Sequence, residues 1–331
     1  MKKKSYKTAV LLYGFLRTAE LTSGSLFKNI VIPNDADIFY FGPDASDNPT
    51  TIHKGILDGT GFLKINPKNE AHEVSGGINE RLSSIFGERL TSYGVHNLKA
   101  TDFEEMTAFI DKNEWLFSLN PMRFISMFYN MQGAYRLMKE YEIKSGIQYE
   151  KVILTRPDLS FYSEIDGYLC RKGLVCIPPG EGFCQHTGNR NIGLSQTFFY
   201  VNRAKGTYVP THVGFNDQLL GFDREDANLL EHLVENCLSY IKERVPLTPE
   251  TLLYYHFVSV NKLKVKYIHN WIYEIVRSDD KKIKNVVDLI ILDVIDRYHP
   301  FVKERIKQKP IKYFLKFGRM RFRALKRRYF N

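Results

Sequence analysis

The chain has 331 residues, 44% hydrophobic and 25% charged, values that exclude a wholly disordered protein. Its formal net charge of +10 is unevenly placed: residues 301–331 hold 12 Lys and Arg against one acid, Glu304, while the 300 residues before them hold 35 bases against 36 acids. That distribution argues against a nucleic-acid-binding face spread over the body and for a neutral body carrying a basic anchor.

No segment approaches the roughly 20 apolar residues that span a bilayer. Met1 to Lys4 followed by Ala9 to Leu16 has the outline of a signal peptide. The apolar run ends in Arg17, however, and Glu20 stands where a small-residue cleavage site belongs. Lys7 to Leu16 is therefore read as a buried first strand. Residues 18–32 follow as a helix with Leu21, Leu26 and Ile30 on one side, and Asp37 to Phe41 as a second strand ended by Gly42-Pro43. Strand, helix and strand in this order predict a βαβ unit and a parallel sheet.

Residues 43–78 are polar and irregular, with a short strand near Gly61 to Ile65. Asn79 to Phe86 is a predicted helix with Asn79 as N-cap, and Val95 to Leu98 a strand candidate. The clearest helix runs over 121–142. Asn120 caps it, Pro121 occupies its first position, and Phe124, Phe128, Met131, Tyr135 and Met138 form one apolar face. Tyr149 to Thr155 is a strand running straight into Arg156-Pro157-Asp158-Leu159.

Residues 178–194 form a polar loop, Thr197 to Val201 a strand, and 215–221 a glycine-flanked turn before a helix over 224–243. Thr248-Pro249-Glu250 opens a helix through Phe257, Lys264 to Ile268 is the last strand, and residues 283–307 are helical. The cysteines (Cys170, Cys176, Cys184, Cys237) form no CxxC pair and read as free thiols without zinc. His256 and His269 read as core or edge histidines rather than metal ligands.

Four constellations carry chemistry. In Gly14-Phe15-Leu16-Arg17-Thr18 a loop leaves the first strand and enters a helix, a place where backbone N–H groups and a forked guanidinium meet anions. Neither GxGxxG nor GxxxxGK[ST] is present, and an ordinary turn with Arg17 in an ion pair is the plain alternative. Arg156-Pro157-Asp158 caps a strand expected to be central, so Asp158 faces the ligand crevice of a parallel sheet; a structural Arg–Asp pair is the alternative. Asn216-Asp217-Gln218 offers a carboxylate as general base, or else Asp217 as a helix cap. The loop Cys184 to Arg190 is long enough to be functional, with His186, Asn189 and Arg190 as candidate substrate contacts, or else a solvated surface loop.

Taken in order, Ala9 to Thr18, Asn34 to Phe39, Phe128 to Met131, Tyr149 to Leu159 and Phe215 to Gln218 resemble GT-A-type glycosyltransferases encoded with bacterial capsule and lipopolysaccharide synthesis. The likeness covers about residues 7–270, and the strand ending in Arg-Pro-Asp-Leu is its most specific piece. It implies an α/β fold with a GT-A-like, Rossmann-type, mostly parallel sheet flanked by helices. The catalytic domain would span residues 1–275 and a helical, basic extension residues 276–331. It further implies an enzyme moving a sugar from a nucleotide-sugar donor to a glycan or glycolipid acceptor of capsule, lipopolysaccharide or O-antigen. Gly14, Arg17 and Thr18 would lie at the donor nucleotide, Asn216 at the substrate, and Asp217 would be the acceptor-side base. Asp158 would take the position of the metal-binding carboxylates, holding Mg²⁺ or Mn²⁺ with the sugar diphosphate. The family's Asp-x-Asp reads Arg156-Pro157-Asp158 here; one carboxylate has become a cation, and Arg156 can itself stabilise a leaving diphosphate. A sugar-phosphate transferase, or a non-catalytic peripheral membrane or nucleic-acid-binding protein, is the rival reading.

Read as a helix, residues 311–331 place Ile311, Phe314, Phe322, Leu325 and Tyr329 on one stripe amid Lys and Arg. Such a helix suits an anionic membrane surface; the alternatives are nucleic-acid contact and a helix packed on the body. The expectation is a cytoplasmic protein peripheral on the inner face of the membrane, with no nucleic-acid partner.

Overall fold

The computed structural model describes residues 7–44, 54–57, 61–64, 77–98, 100–110, 121–178, 197–202, 207–213, 215–243, 245, 248–268 and 270–276. In chain order these form strand β1 (Thr8–Tyr13), helix α1 (Ala19–Leu26), β2 (Asp37–Pro43), β3 (Lys54–Leu57), β4 (Gly61–Lys64), α2 (Ile78–Phe86), β5 (Leu90–His96) and α3 (Glu104–Thr107). There follow α4 (Pro121–Ser145), β6 (Lys151–Thr155), β7 (Leu159–Phe161), β8 (Leu174–Ile177), β9 (Thr197–Asn202) and β10 (Thr207–Val213). The series closes with β11 (Leu219–Asp223), α5 (Leu233–Lys242), α6 (Pro249–Tyr254), β12 (Lys264–Tyr267) and β13 (Tyr273–Ile275).

Seven strands make one sheet in the order β12-β8-β11-β6-β1-β2-β5. Pairing is parallel throughout except at β11, which runs antiparallel to both neighbours. The expected α/β fold with a mostly parallel sheet is thus present, and β6 sits at its centre. The β1-α1-β2 unit is the expected βαβ, with Ala9 opposite Asp37 and Tyr13 opposite Phe41.

Both faces of the sheet are covered, which is why its inner strands β1 and β6 are buried along their whole length. Ala9, Leu11, Tyr13, Val152 and Leu154 point into a core shared with α4, α5 and α6; Val10, Leu12, Ile153 and Leu219 point into a second core with α1, α2 and Trp271. On α4 the five residues spaced along one face, Phe124 to Met138, are all buried, each contributing roughly 1.5–3 kcal/mol. The ring of Phe41 lies against Gly133, where a Cβ would come within 2.3 Å of it, so that helix and sheet meet closely there.

Several boundaries differ from expectation. Helix α2 starts at Ile78 after Gly77, with no side-chain cap, so Asn79 lies inside the helix rather than at its N-cap. The helix expected over 224–243 splits into a short 3₁₀ turn, Asp226–Leu230, and α5. Residues 215–221 are not simply a turn: Leu219 begins the reversed strand β11, so Asp217 precedes a strand and caps no helix. Gly221 makes that strand possible, since a Cβ there would sit 2.5 Å from the Cys170 sulfur and 2.7 Å from the Trp271 ring. Asn120, His186, Asn189, Arg190, His269, Cys184 and residues 277–331 lie outside the described residues.

Candidate functional site

In a parallel sheet every βα loop leaves the same edge, and ligands gather in the crevice there. β1 and β6 are adjacent and parallel, so Gly14 to Thr18 and Arg156 to Asp158 emerge side by side. Their side chains meet. Arg17 Nη1 donates to Asp158 Oδ2 at 2.9 Å across 141 residues of sequence. Arg156 donates as a fork, Nε to Oδ1 at 2.9 Å and Nη2 to Oδ2 at 2.6 Å. Asp158 is buried beneath them at 1% exposure, while the Arg17 and Arg156 side chains keep 15% and 18% of their surface. The carboxylate is the floor and the guanidiniums form the rim.

The backbone makes this arrangement possible. Gly14 takes φ +88° and Arg17 φ +45°. The second is a left-handed conformation costing an ordinary L-residue about 1–2 kcal/mol, and it swings Arg17 toward Asp158. Gly14 spends both its backbone groups inside: its N–H donates to the Phe41 carbonyl at 3.0 Å and its carbonyl accepts from Tyr40 Oη at 2.8 Å. It shapes the loop and offers no N–H to an anion. Thr18 is also inward-facing, its hydroxyl donating to the Val276 carbonyl at 2.7 Å, while the Thr22 hydroxyl donates to the Pro157 carbonyl at 2.6 Å. These two bonds, with Val276 N–H to the Asp158 carbonyl at 2.9 Å, lash α1, the Asp158 loop and the end of β13 together.

The third wall is the approach to β11. Asn216 is fully buried; its Oδ1 accepts from the N–H of Gln218 at 2.8 Å and of Leu219 at 2.7 Å, and its Nδ2 donates to Tyr273 Oη at 2.6 Å. The expected substrate contact is instead the peg that holds this turn, because every polar group of its side chain is engaged inside. Tyr273 Oη in turn donates a hydrogen bond to Gln218 Oε1 at 3.1 Å. Tyr13 Oη donates to the Asp217 carbonyl at 2.6 Å, and burial pushes this phenol well above its usual range, so it stays neutral.

Asp217 differs from every other member of the site. It is 7% exposed, and its Oδ1 is buried without a hydrogen-bond partner among the described residues. Burial raises its pKa, opposed by the charge of Arg156 and by its own backbone N–H. Arg156 in turn is pulled down by burial but held up more strongly by Asp158, Tyr13 and Asp217, and it remains a cation. Arg156 therefore stands between two carboxylates, one saturated and one not. Sequence reading missed Tyr13, Tyr273 and Arg123. The last sits in the first turn of α4, on the edge where the parallel strands end. Its side chain is exposed, and partial desolvation and the like charge of Arg17 lower its pKa. Its place in the first turn of an expected helix was the only available signal.

These residues do not fit a divalent cation. Mg²⁺ and Mn²⁺ take oxygen ligands, whereas both Asp158 oxygens accept from guanidiniums, and among the described residues no cluster of three or more His, Cys, Asp or Glu forms a metal site. The chain matches no protein-family model and no curated protein. No helix of the described residues is long and apolar enough to cross a membrane.

Proposed function

We propose that this protein is a GT-A-like glycosyltransferase that moves a sugar from a nucleotide-sugar donor to a lipid-linked or surface-glycan acceptor. The observation that carries the reading is the pairing of Arg17 and Arg156 on a buried Asp158 at the carboxyl edge of β1 and β6, with an Asp217 nearby whose buried Oδ1 has no hydrogen-bond partner among the described residues. Preorganised guanidiniums suit the charge that builds on a leaving diphosphate. A carboxylate raised toward neutrality by burial suits a general base. In the step, the bond from the anomeric carbon to the phosphate oxygen breaks and its electron pair leaves with the nucleoside diphosphate. The acceptor oxygen bonds to that carbon from the face opposite the departing diphosphate, which gives inversion, and Asp217 takes the acceptor's proton. Arg156, touching Asp158 and within the field of Asp217, couples the two ends of the reaction.

The test is a thermal-shift series of the full chain with UDP, GDP, CDP and CMP. At a hundredfold excess over Kd a ligand stabilises the native state by about 2.7 kcal/mol, a rise of several degrees for at least one diphosphate. A flat series would remove the nucleotide-sugar reading.

The basic segment 301–331 supports a second part of the proposal, a reversible anchor on the anionic inner face of the cytoplasmic membrane. Each Lys or Arg near such a surface contributes about 1 kcal/mol. Chain cut after Pro310 should lose co-sedimentation with anionic vesicles and keep its nucleotide site. Equal partitioning of both chains would reject the anchor.

A further inference from the structure

We infer that Arg17 and Arg156, held by Asp158, are the counter-charge of the donor diphosphate, and that the site binds a nucleoside diphosphate without a divalent cation. The inference rests on the glycosyltransferase reading and specifies how its donor site is charged.

Asp158 is the positioning residue of this arrangement. A single carboxylate receives three charge-assisted hydrogen bonds from two arginines at 2.6–2.9 Å. Such bonds are short, strong and directional. A cation entering at Asp158 would have to displace a guanidinium from a carboxylate that is 1% exposed, leaving two buried-edge arginines beside a second positive ion. The guanidiniums already occupy the place where the metal's charge would act. The Arg156 fork uses Nε and Nη2 on Asp158, which leaves Nη1 outside that pairing. The planar, permanently charged guanidinium suits bidentate phosphate recognition. Arg123 adds a third positive charge within the field of Arg17. Three cations against Asp158 and Asp217 still leave the site net positive, the complement of a diphosphate.

The departure from Asp-x-Asp then has a physical logic. With arginine at 156 the first carboxylate ligand is gone and a fixed cation stands in its place, while the retained Asp158 holds that cation and its neighbour Arg17 in register. Burial also favours arginine here: the group stays charged where a lysine would lose its proton more readily.

The experiment is calorimetric titration of the full chain, dialysed against EDTA and checked for residual metal by mass spectrometry, with UDP, GDP, CDP and ADP. Each titration is run in EDTA and again with Mn²⁺ or Mg²⁺. The expected result is binding of at least one nucleoside diphosphate in EDTA, with an affinity changed by no more than roughly twofold on adding metal. Arg156→Lys and Arg17→Lys, which remove the guanidinium fork, should each weaken that binding by about tenfold or more. Binding only in the presence of metal would overturn the inference and leave the glycosyltransferase reading standing. Absence of binding under both conditions would overturn the glycosyltransferase reading and the clamp with it. The wild-type comparison decides the matter even if an arginine variant fails to fold.

Discussion

Asp158 and Asp217 are buried carboxylates that both act on one arginine, and they are solvated by the protein in opposite ways. Asp158 accepts three hydrogen bonds from two guanidiniums. Asp217 has the more distant field of Arg156, its own backbone N–H and one oxygen with no partner among the described residues. A buried carboxylate that is fully paired is held in one charge state and one place; a buried carboxylate that is underpaired is open to a proton or a hydroxyl. The first property organises a site and the second does chemistry in it.

Four perturbations would break or sharpen this contrast. The largest effect belongs to Asp158→Ala. Removing it leaves Arg17 and Arg156 facing each other at the edge of the core, and breaking a buried pair from one side costs about 3–5 kcal/mol. Urea unfolding should show that loss together with loss of nucleotide binding. Unchanged stability would mean the carboxylate is replaceable and the floor of the site is mis-assigned.

Next comes Asp217→Asn. It should lower turnover by roughly 10²–10⁴, while unfolding free energy moves by no more than about 1 kcal/mol, since no hydrogen bond of Asp158 is touched. Steady-state kinetics and urea melts on the same preparation separate the two. A stability loss as large as that of Asp158→Ala would erase the contrast.

His256 gives a smaller effect and a control remote from the arginines. Tyr240 Oη and the Leu229 carbonyl flank its imidazole at 3.1 and 2.8 Å, and burial pushes its pKa down to about 4 despite the latter bond. With the folded pKa below the unfolded value near 6.5, the unfolded chain binds the proton first as pH falls. Stability is intact above about pH 6.5 and falls by about 3 kcal/mol as pH drops through that window. His256→Gln should flatten this slope and leave the pH dependence of turnover unaltered; a slope unchanged in the variant would place the protonation elsewhere.

The smallest effect is the stability signature of Asp217 itself. Its folded pKa is raised, so the folded state binds the proton more tightly and the contribution is lost as pH rises past the unfolded carboxylate value. Asp217→Asn should therefore gain on wild type as pH increases from 4 toward 8, read from paired melts. The opposite trend would mean that Asp217 is stabilised as an anion, like Asp158.

Much of this frame was legible in the chain. Unbroken apolar runs mark β1, β2 and β6, and the spacing from Phe124 to Met138 marks α4, because burial on two faces and on one helical face leaves distinct periods. β8 and β11 were hidden: they are four and five residues long, and Gly221 reads as a turn until Cys170 and Trp271 are seen crowding it. Arg17, Arg156 and Asp158 stood out as charges at strand ends. Their mutual contact did not, since it depends on which strands are neighbours. Asn216 looked like a ligand contact and is a buried peg, because an asparagine reads the same in sequence whether it bonds a substrate or the turn that carries it.

The central claim is tested most directly by the dissociation constant of one nucleoside diphosphate for wild type, Asp158→Asn and Asp217→Asn, measured side by side at one salt concentration. Asp217→Asn should bind as wild type does, and Asp158→Asn should bind at least about tenfold more weakly because its arginines lose their anchor. Equal affinity in Asp158→Asn, or loss of affinity in Asp217→Asn, would contradict the division of labour between the two carboxylates.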